Sequence, residues 1–233
     1  MAGYLTIEQI RELAIEAWHV LWKTHIGLGR AKVKLSEIDA PATVVGYFFE
    51  KLFAKLLQAA TDGSWRGGRT KDEKDLVCET DTKFSTEIKT SGQLGLKVFG
   101  NRSYGQKPKQ DELVSKIEKS GYYITVNFYK QSLNLIRFGW IDFDDWRPQG
   151  AQTGQAATLP DVVYSHKLIE IPGDYLLAAP VSLLEGVGPA TASLCAANGI
   201  YTIRDVIDYV GDNAAVLRLK EKAQRYARVK GSE

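Results

Sequence analysis

The sequence has few of the residues that build disulfide scaffolds and transition-metal sites. Its two cysteines, Cys78 and Cys195, lie far apart, and it has three histidines. No CxxC or HxxxH spacing is present. The sequence therefore predicts neither a disulfide framework nor a zinc site.

Long apolar segments are also missing. No uninterrupted apolar run approaches the roughly 20 residues that cross a bilayer. The first residues, Met1–Tyr4, lack the basic and apolar regions of a signal peptide. We therefore expect a cytoplasmic protein.

An excess of charge of one sign is absent from the chain as a whole. Its 30 Lys and Arg stand against 28 Asp and Glu, which gives a net charge of +2. This value is too small to indicate nucleic-acid binding, so the distribution of charge must be considered. Six basic residues lie between Arg218 and Lys230, against one acid. The C-terminus is thus strongly basic.

What is present is a core-forming pattern of alternating helix and strand signals. Hydrophobic residues make up 44% of the 233 residues, enough for a buried core. Helical spacing, strand-forming composition and turn residues together predict an α/β layered fold. The predicted elements are a helix from Ile7, a helix after Pro41, strands at 75–79 and 84–90 that form a hairpin, a short helix opened by Pro108, and strands at 122–129 and 133–141.

The residue pattern of the chain changes near residues 174–180. Residues 147–160 are rich in Gly, Gln, Ala and Pro and read as a loop or arm, whereas the pattern after Pro180 is wholly helical. We therefore predict two domains, residues 1–176 and residues 177–233.

Three residues of the predicted hairpin can carry chemistry. Residues two apart in a strand point to the same side, so Glu87 and Lys89 share a face while Ile88 turns into the core. A hairpin centred on Asp81 pairs position 75 with position 87. This register predicts that Asp75 lies beside Glu87.

Two carboxylates directly opposite each other on neighbouring strands repel unless a cation lies between them. Mg²⁺ suits this pair, because it binds a few carboxylate oxygens and keeps positions for water and phosphate. We therefore expect Asp75 and Glu87 to hold Mg²⁺, with the Ile88 carbonyl as a further ligand. Lys89 would orient the attacking water and offset the charge that develops on the phosphate.

This spacing resembles the PD-(D/E)XK nuclease signature: Asp75, then Glu87-Ile88-Lys89 twelve residues on. The resemblance spans most of residues 43–146. It implies a supporting glutamate on the upstream helix, and Glu50 matches it. Glu50 also lies at the edge of the apolar face of its helix, so an ordinary boundary glutamate is the alternative. Lys74 stands where the motif has its proline, which is a departure from the signature.

Three further segments, Phe84–Ser91, Val98–Tyr104 and Ile136–Ile141, are similar to ScaI-like type II restriction endonucleases. The resemblance implies a restriction-endonuclease-like mixed sheet flanked by helices. It also implies Mg²⁺-dependent, sequence-specific cleavage of palindromic double-stranded DNA by a homodimer, with a cognate DNA methyltransferase in the same system.

Four residues are candidates for DNA contact. Arg66 and Arg69 stand in a Gly-rich loop before the catalytic strand, and arginine suits both phosphate and guanine. Asn101 and Arg102 follow the catalytic strand, and Asn pairs bidentately with adenine. A flexible solvated loop is an equally good interpretation of Arg66 and Arg69, and the same alternative stays open for Asn101 and Arg102.

The C-terminal unit carries a second pattern. Leu184–Ala192 fits a helix-hairpin-helix, in which Gly186 and Gly188 allow the tight turn and bring backbone N–H groups to a phosphate. The alternative is a hairpin that only joins two helices. We expect an all-α unit that binds DNA without reading its bases.

Three other interpretations stay open. The acids and Lys89 could form an exposed charge network on a sheet, since surface ion pairs are common. A nuclease core followed by a helix-hairpin-helix also resembles XPF-like flap endonucleases, although these carry an E-R-K run where this sequence has Glu87-Ile88-Lys89. A non-catalytic DNA-binding protein is the third.

Overall fold

A computed structural model describes residues 4–93, 95–101, 104, 119–148, 156–184 and 186–228. Within these residues it shows a mixed sheet flanked by helices, followed by a cluster of short helices. The predicted α/β class is confirmed. No helix in this part of the chain is both long and apolar enough to span a membrane.

Two helices precede the sheet. Helix α1, Ile7–Lys23, begins with a capping box in which Thr6 and Gln9 bond each other's backbone N–H groups. Helix α2, Ala42–Ala60, begins after Pro41, whose fixed φ suits a helix N-terminus. Both helices bury an apolar stripe, so they pack on one side of the sheet.

The central sheet has six strands: β3 (Trp65–Gly67), β4 (Leu76–Cys78), β5 (Thr86–Ser91), β7 (Gly121–Tyr129), β8 (Ser132–Ile141) and β11 (Leu168–Glu170). Their order across the sheet is β11-β8-β7-β5-β4-β3. Neighbouring strands run antiparallel, except for β5 and β7, which run parallel.

Short strands form two smaller sheets. The elements are β1 (His25–Ile26) with β2 (Val33–Lys34), and β6 (Phe99–Gly100), β10 (Ala157–Thr158) and β9 (Arg147–Pro148) in that order. The predicted arm at 147–160 thus contains two strands, and the predicted loop at 62–69 contains β3. Composition concealed them, because a two- or three-residue strand depends on its tertiary neighbours.

Each face of the central sheet has its own apolar core. Ile88, Ile124 and Val126 pack with α1 and α2. Tyr123 and Ile141 face the opposite side, in a cluster with Val98, Tyr104, Trp146 and helix α3 (Asp161–His166). Since side chains alternate along a strand, neighbouring residues of β5 and β7 serve different faces. The predicted helix opened by Pro108 lies outside the described residues.

The C-terminal segment is helical, as its sequence predicts. Helices α4 (Pro189–Ala197), α5 (Ile203–Asp208) and α6 (Ala214–Arg228) surround a separate apolar cluster. Gly188 is the N-cap residue of α4, with Pro189 at its first turn. Gly186 has φ 83°, a left-handed conformation that favours glycine.

Candidate active site

The strand register brings Asp75 and Glu87 together. Leu76 pairs with Thr86 between β4 and β5, so the next position outward places Asp75 opposite Glu87. The backbone N–H of Ile88 donates to Asp75 Oδ2 at 2.8 Å. The register that the sequence predicts is therefore the register observed.

Glu87 is the centre of a hydrogen-bonded group. Lys89 Nζ donates to Glu87 Oε1 at 2.5 Å, and the Tyr104 hydroxyl donates to the same oxygen at 3.0 Å. The Glu87 and Lys89 side chains are only 13% and 16% exposed. Partners on one oxygen fix the carboxylate and leave its other oxygen to face the site.

Burial and like charge act on Asp75. Loss of solvent and the nearby Glu87 carboxylate raise the pKa of Asp75 to about 7, while Lys89 lowers it. Glu50 adds a further upward contribution. Two acids that resist ionising side by side are stabilised by any cation that binds between them.

Burial and Lys89 have opposite effects on the pKa of Glu87. Burial alone would raise the pKa of this carboxyl, but the charge and hydrogen bond of Lys89 hold it below its usual range. Burial likewise disfavours the Lys89 ammonium, yet Glu87 and Asp75 raise its pKa above the ordinary value. Lys89 therefore stays cationic beside two acids.

Glu50 approaches this group through close packing of α2 on the sheet. A Cβ on Gly46 would lie 2.1 Å from Thr90 Oγ1, so only glycine lets the helix come this near to β5. Glu50 lies one turn further along the same helix face. It is ion-paired with Lys51, and its charge acts on Asp75.

Lysine amines lie over aromatic rings around the acids. Lys89 Nζ is 5.0 Å from the Tyr104 ring centroid, and Lys119 Nζ is 5.7 Å from the same ring. Lys74 Nζ is 5.1 Å from the Tyr123 ring centroid. Ring faces attract cations, so Tyr104 and Tyr123 hold three lysine amines near the two acids.

The two loop arginines have different surroundings. Arg66 donates to both oxygens of Glu73 and also pairs with Glu79. The same Glu73 carboxylate accepts the backbone N–H groups of Arg69 and Thr70. Arg66 thus braces the loop, whereas Arg69 is exposed.

The other candidates for DNA contact follow the acid pair in the sequence. Asn101 is exposed, and its carbonyl accepts the Tyr104 N–H at 3.1 Å, which ties it to the Glu87 group. Arg102 lies outside the described residues. Gly186 and Gly188 lie in the turn that precedes α4, and a Cβ on Gly186 would be 3.1 Å from Lys222 Nζ.

Sequence reasoning did not single out Tyr104 and Lys74 as site residues. In the sequence, only its place at the end of the segment Val98–Tyr104, which is similar to ScaI-like restriction endonucleases, pointed to Tyr104. Burial and Glu87 raise the pKa of Tyr104, so its hydroxyl keeps the proton that it donates. Lys74 was visible only as the residue in place of a proline.

The donor set fits a hard divalent cation. Hydrogen bonds from described residues reach Asp75 Oδ2 and Glu87 Oε1, which leaves one oxygen of each carboxylate for a metal. The N–H and C=O of a strand residue point to the same side, so the Ile88 carbonyl also faces Asp75. Among the described residues, no group of three or more His, Cys, Asp or Glu is placed to hold a metal ion.

Comparison with known proteins identifies the class. Residues 2–172 match the ScaI restriction endonuclease family. The chain is also 35% identical over 176 residues to the type II restriction enzyme ScaI of Streptomyces caespitosus, covering 72% of this chain and 74% of that enzyme. No solved structure matches. The chain therefore belongs to the ScaI restriction endonuclease family.

Proposed function

We infer that this protein is a type II restriction endonuclease, a site-specific deoxyribonuclease that hydrolyses phosphodiester bonds of double-stranded DNA. Family membership supports the activity. The observation that supports the location of the site is the register of β4 and β5, which sets Asp75 opposite Glu87 with Lys89 bonded to Glu87.

Restriction endonucleases generally use a divalent metal ion, and we propose Mg²⁺ here. Asp75, Glu87 and the Ile88 carbonyl would hold it, as in the PD-(D/E)XK arrangement. Mg²⁺ would supply polarisation of the scissile phosphate and a lower pKa for a bound water. Glu50 supports the site from α2 through its charge on Asp75.

The chain's own residues do the remaining work. Lys89 stays protonated between the acids, orients the attacking water and offsets charge on the phosphate. The Tyr104 hydroxyl donates a hydrogen bond to Glu87, so the orientation of the carboxylate is fixed. Glu87 in turn holds the Lys89 amine in place.

DNA would be held by loops on both sides of the acids and by the C-terminal unit. In this proposal Arg69, Asn101 and Arg102 contact the duplex, while Arg66 holds the loop through Glu73. Residues 1–176 form the endonuclease domain. The family match ends at residue 172, which supports a separate unit at 177–233.

The C-terminal unit is proposed to bind DNA backbone as a helix-hairpin-helix. Gly186 is left-handed and Gly188 caps α4, the two conformations that such a turn needs. Helix N-terminal N–H groups favour phosphate. The active protein is proposed to be a homodimer, whose two-fold symmetry matches a palindromic site, with a methyltransferase protecting the host sequence.

Plasmid digestion tests the proposed function. Purified protein with Mg²⁺ should give discrete fragments with fixed ends, and Asp75→Asn or Glu87→Gln should abolish cleavage, because each variant removes a carboxylate proposed to hold the metal. Asp81→Asn is the matched control, because Asp81 lies in the turn between β4 and β5 and pairs with Lys83, away from the acid pair; it should cut normally.

Three outcomes would contradict the proposal. Fragments without fixed ends would remove sequence specificity, and preference for branched DNA would favour a repair nuclease of the flap type. Tight DNA binding without cleavage in any divalent metal would favour a non-catalytic DNA-binding protein.

A further inference from the structure

Lys74 lies directly before Asp75, at the position where the PD-(D/E)XK signature has proline. A proline there would carry no charge. The side chain actually present ends in an ammonium group, and its direction decides whether that charge reaches the site.

The backbone at this position is tightly held. The Gly68 N–H donates to the carbonyl of Asp75 at 3.0 Å, and a Cβ on Gly68 would lie 2.4 Å from the Lys74 carbonyl oxygen. Gly68, which directly follows β3, therefore holds the backbone of Lys74 and Asp75 in place at the start of β4.

The Lys74 side chain crosses the sheet towards β7. A Cβ on Gly121 would lie 3.5 Å from Lys74 Cε and 3.6 Å from Nζ, and Nζ lies 5.1 Å from the Tyr123 ring centroid. Tyr123 pairs with Glu87 in the parallel ladder of β5 and β7. Since β5 lies between β4 and β7, the side chain passes over the Glu87 strand.

We propose that Lys74 is a second phosphate-binding residue of the active site, which bonds a backbone phosphate of the cleaved DNA strand beside Asp75 and Glu87. This inference rests on the proposed function and deepens it. It assigns to the site a cation that the nuclease signature lacks.

The charges of the site explain the need for this residue. An anionic strand must approach two carboxylates, and the Lys89 amine already bonds Glu87 at 2.5 Å. Lys74 adds positive charge on the same surface, where it also lowers the pKa of Glu87. The Tyr123 ring face attracts the Lys74 ammonium and keeps its charge beside Glu87, where a phosphate of the cleaved strand would bind.

The test measures salt dependence and rate in three variants. Each phosphate contact adds about 0.9 to the slope of log affinity against log salt. Lys74→Gln should reduce that slope by about one for duplex containing the recognition site, measured with Ca²⁺ in place of Mg²⁺. Single-turnover cleavage in Mg²⁺ should fall roughly 10- to 100-fold, the effect of one charge-assisted hydrogen bond.

Lys74→Arg should keep the slope and much of the rate, because it keeps the charge. Lys83→Gln is the matched control. Lys83 also lies over an aromatic ring, 4.9 Å from the Phe84 centroid, and pairs with Asp81 at 2.7 Å, outside the acid pair. It should keep the normal slope and rate.

An unchanged slope and rate in Lys74→Gln would overturn the inference, as would equal losses in Lys83→Gln. If Lys74→Gln does not fold, as judged by circular dichroism, Lys74→Arg and Lys74→Met decide: the inference needs a normal slope in the first and a reduced one in the second. Failure of the proposed function is recognised separately, because the unaltered protein would then give no fragments with fixed ends from linear duplex DNA.

Discussion

At the proposed active site, the surroundings of Asp75 lower the stability of the folded protein. Its carboxyl is held among acids and away from water, which raises its pKa from 3.8 to about 7. The folded protein therefore binds this proton more tightly than the unfolded chain does. Stability consequently falls as pH rises from about 4 to about 7 and stays low above that.

Asp75→Asn should therefore stabilise the metal-free protein. At pH 8 the variant should unfold at a higher Tm, with a free energy of unfolding higher by roughly 1–4 kcal/mol, and the gain should vanish near pH 4. Thermal unfolding followed by circular dichroism across this range, in EDTA, measures it.

Asp81→Asn is the control, because the pKa of Asp81 is shifted in the opposite direction. Lys83 lowers the pKa of Asp81, so this variant should show no gain in stability at pH 8. A difference between Asp75→Asn and the unaltered protein that does not change with pH would contradict the assigned cause.

At the scale of elements, helix α2 packs closely against strand β5 beside the proposed site. Gly46 sits against Thr90, and this contact sets the distance from which Glu50 acts on Asp75. Interiors are densely packed, so an added methyl group has no room to relax into. The position of a supporting acid thus depends on a residue that has no side chain.

Gly46→Ala should push the helix away from the strand. We expect a loss of about 1–3 kcal/mol in the free energy of unfolding, although alanine is the better helix former, together with slower cleavage. Denaturant unfolding and single-turnover rates measure the two effects.

The double variant Gly46→Ala with Thr90→Ala should recover part of both losses, because removal of Oγ1 relieves the 2.1 Å contact. Strictly additive losses would show that the Thr90 contact is not the cause.

At the scale of the whole molecule, we propose that the C-terminal unit contributes to DNA binding. Gly186 and Gly199 both have left-handed backbone, with φ 83° and 72°, in the same helical cluster. Only Gly186 lies in the hairpin proposed to meet phosphate, near Lys222. The two glycines therefore separate backbone strain from loss of DNA contact.

Gly186→Ala and Gly199→Ala should each lower stability by about 1 kcal/mol. Only Gly186→Ala should also weaken binding, several-fold and equally for duplexes with and without the recognition site, while the cut position stays the same. Fluorescence anisotropy on both duplexes, with sequencing of the cut ends, measures this. Equal affinity of the two variants would argue against the hairpin as a DNA-binding element.

The sequence by itself determined the local structure around the acids. Period-two alternation put Glu87 and Lys89 on one face, and the symmetric spacing about Asp81 fixed the register that sets Asp75 opposite Glu87. Strand geometry follows from neighbours in the chain, so a short hairpin can be read from its residues. The capping box of α1 and the start of α2 at Pro41 were predictable for the same reason.

Only the tertiary structure decided what surrounds those acids. Tyr104 lies 17 residues beyond Glu87 and Lys74 crosses a strand to reach Tyr123, and neither contact has a periodicity that marks it. Strand β3 and the pairing of Arg66 with Glu73 also depend on packing between separate segments. Long-range contacts follow from how the whole chain fills its core, which local pattern does not encode.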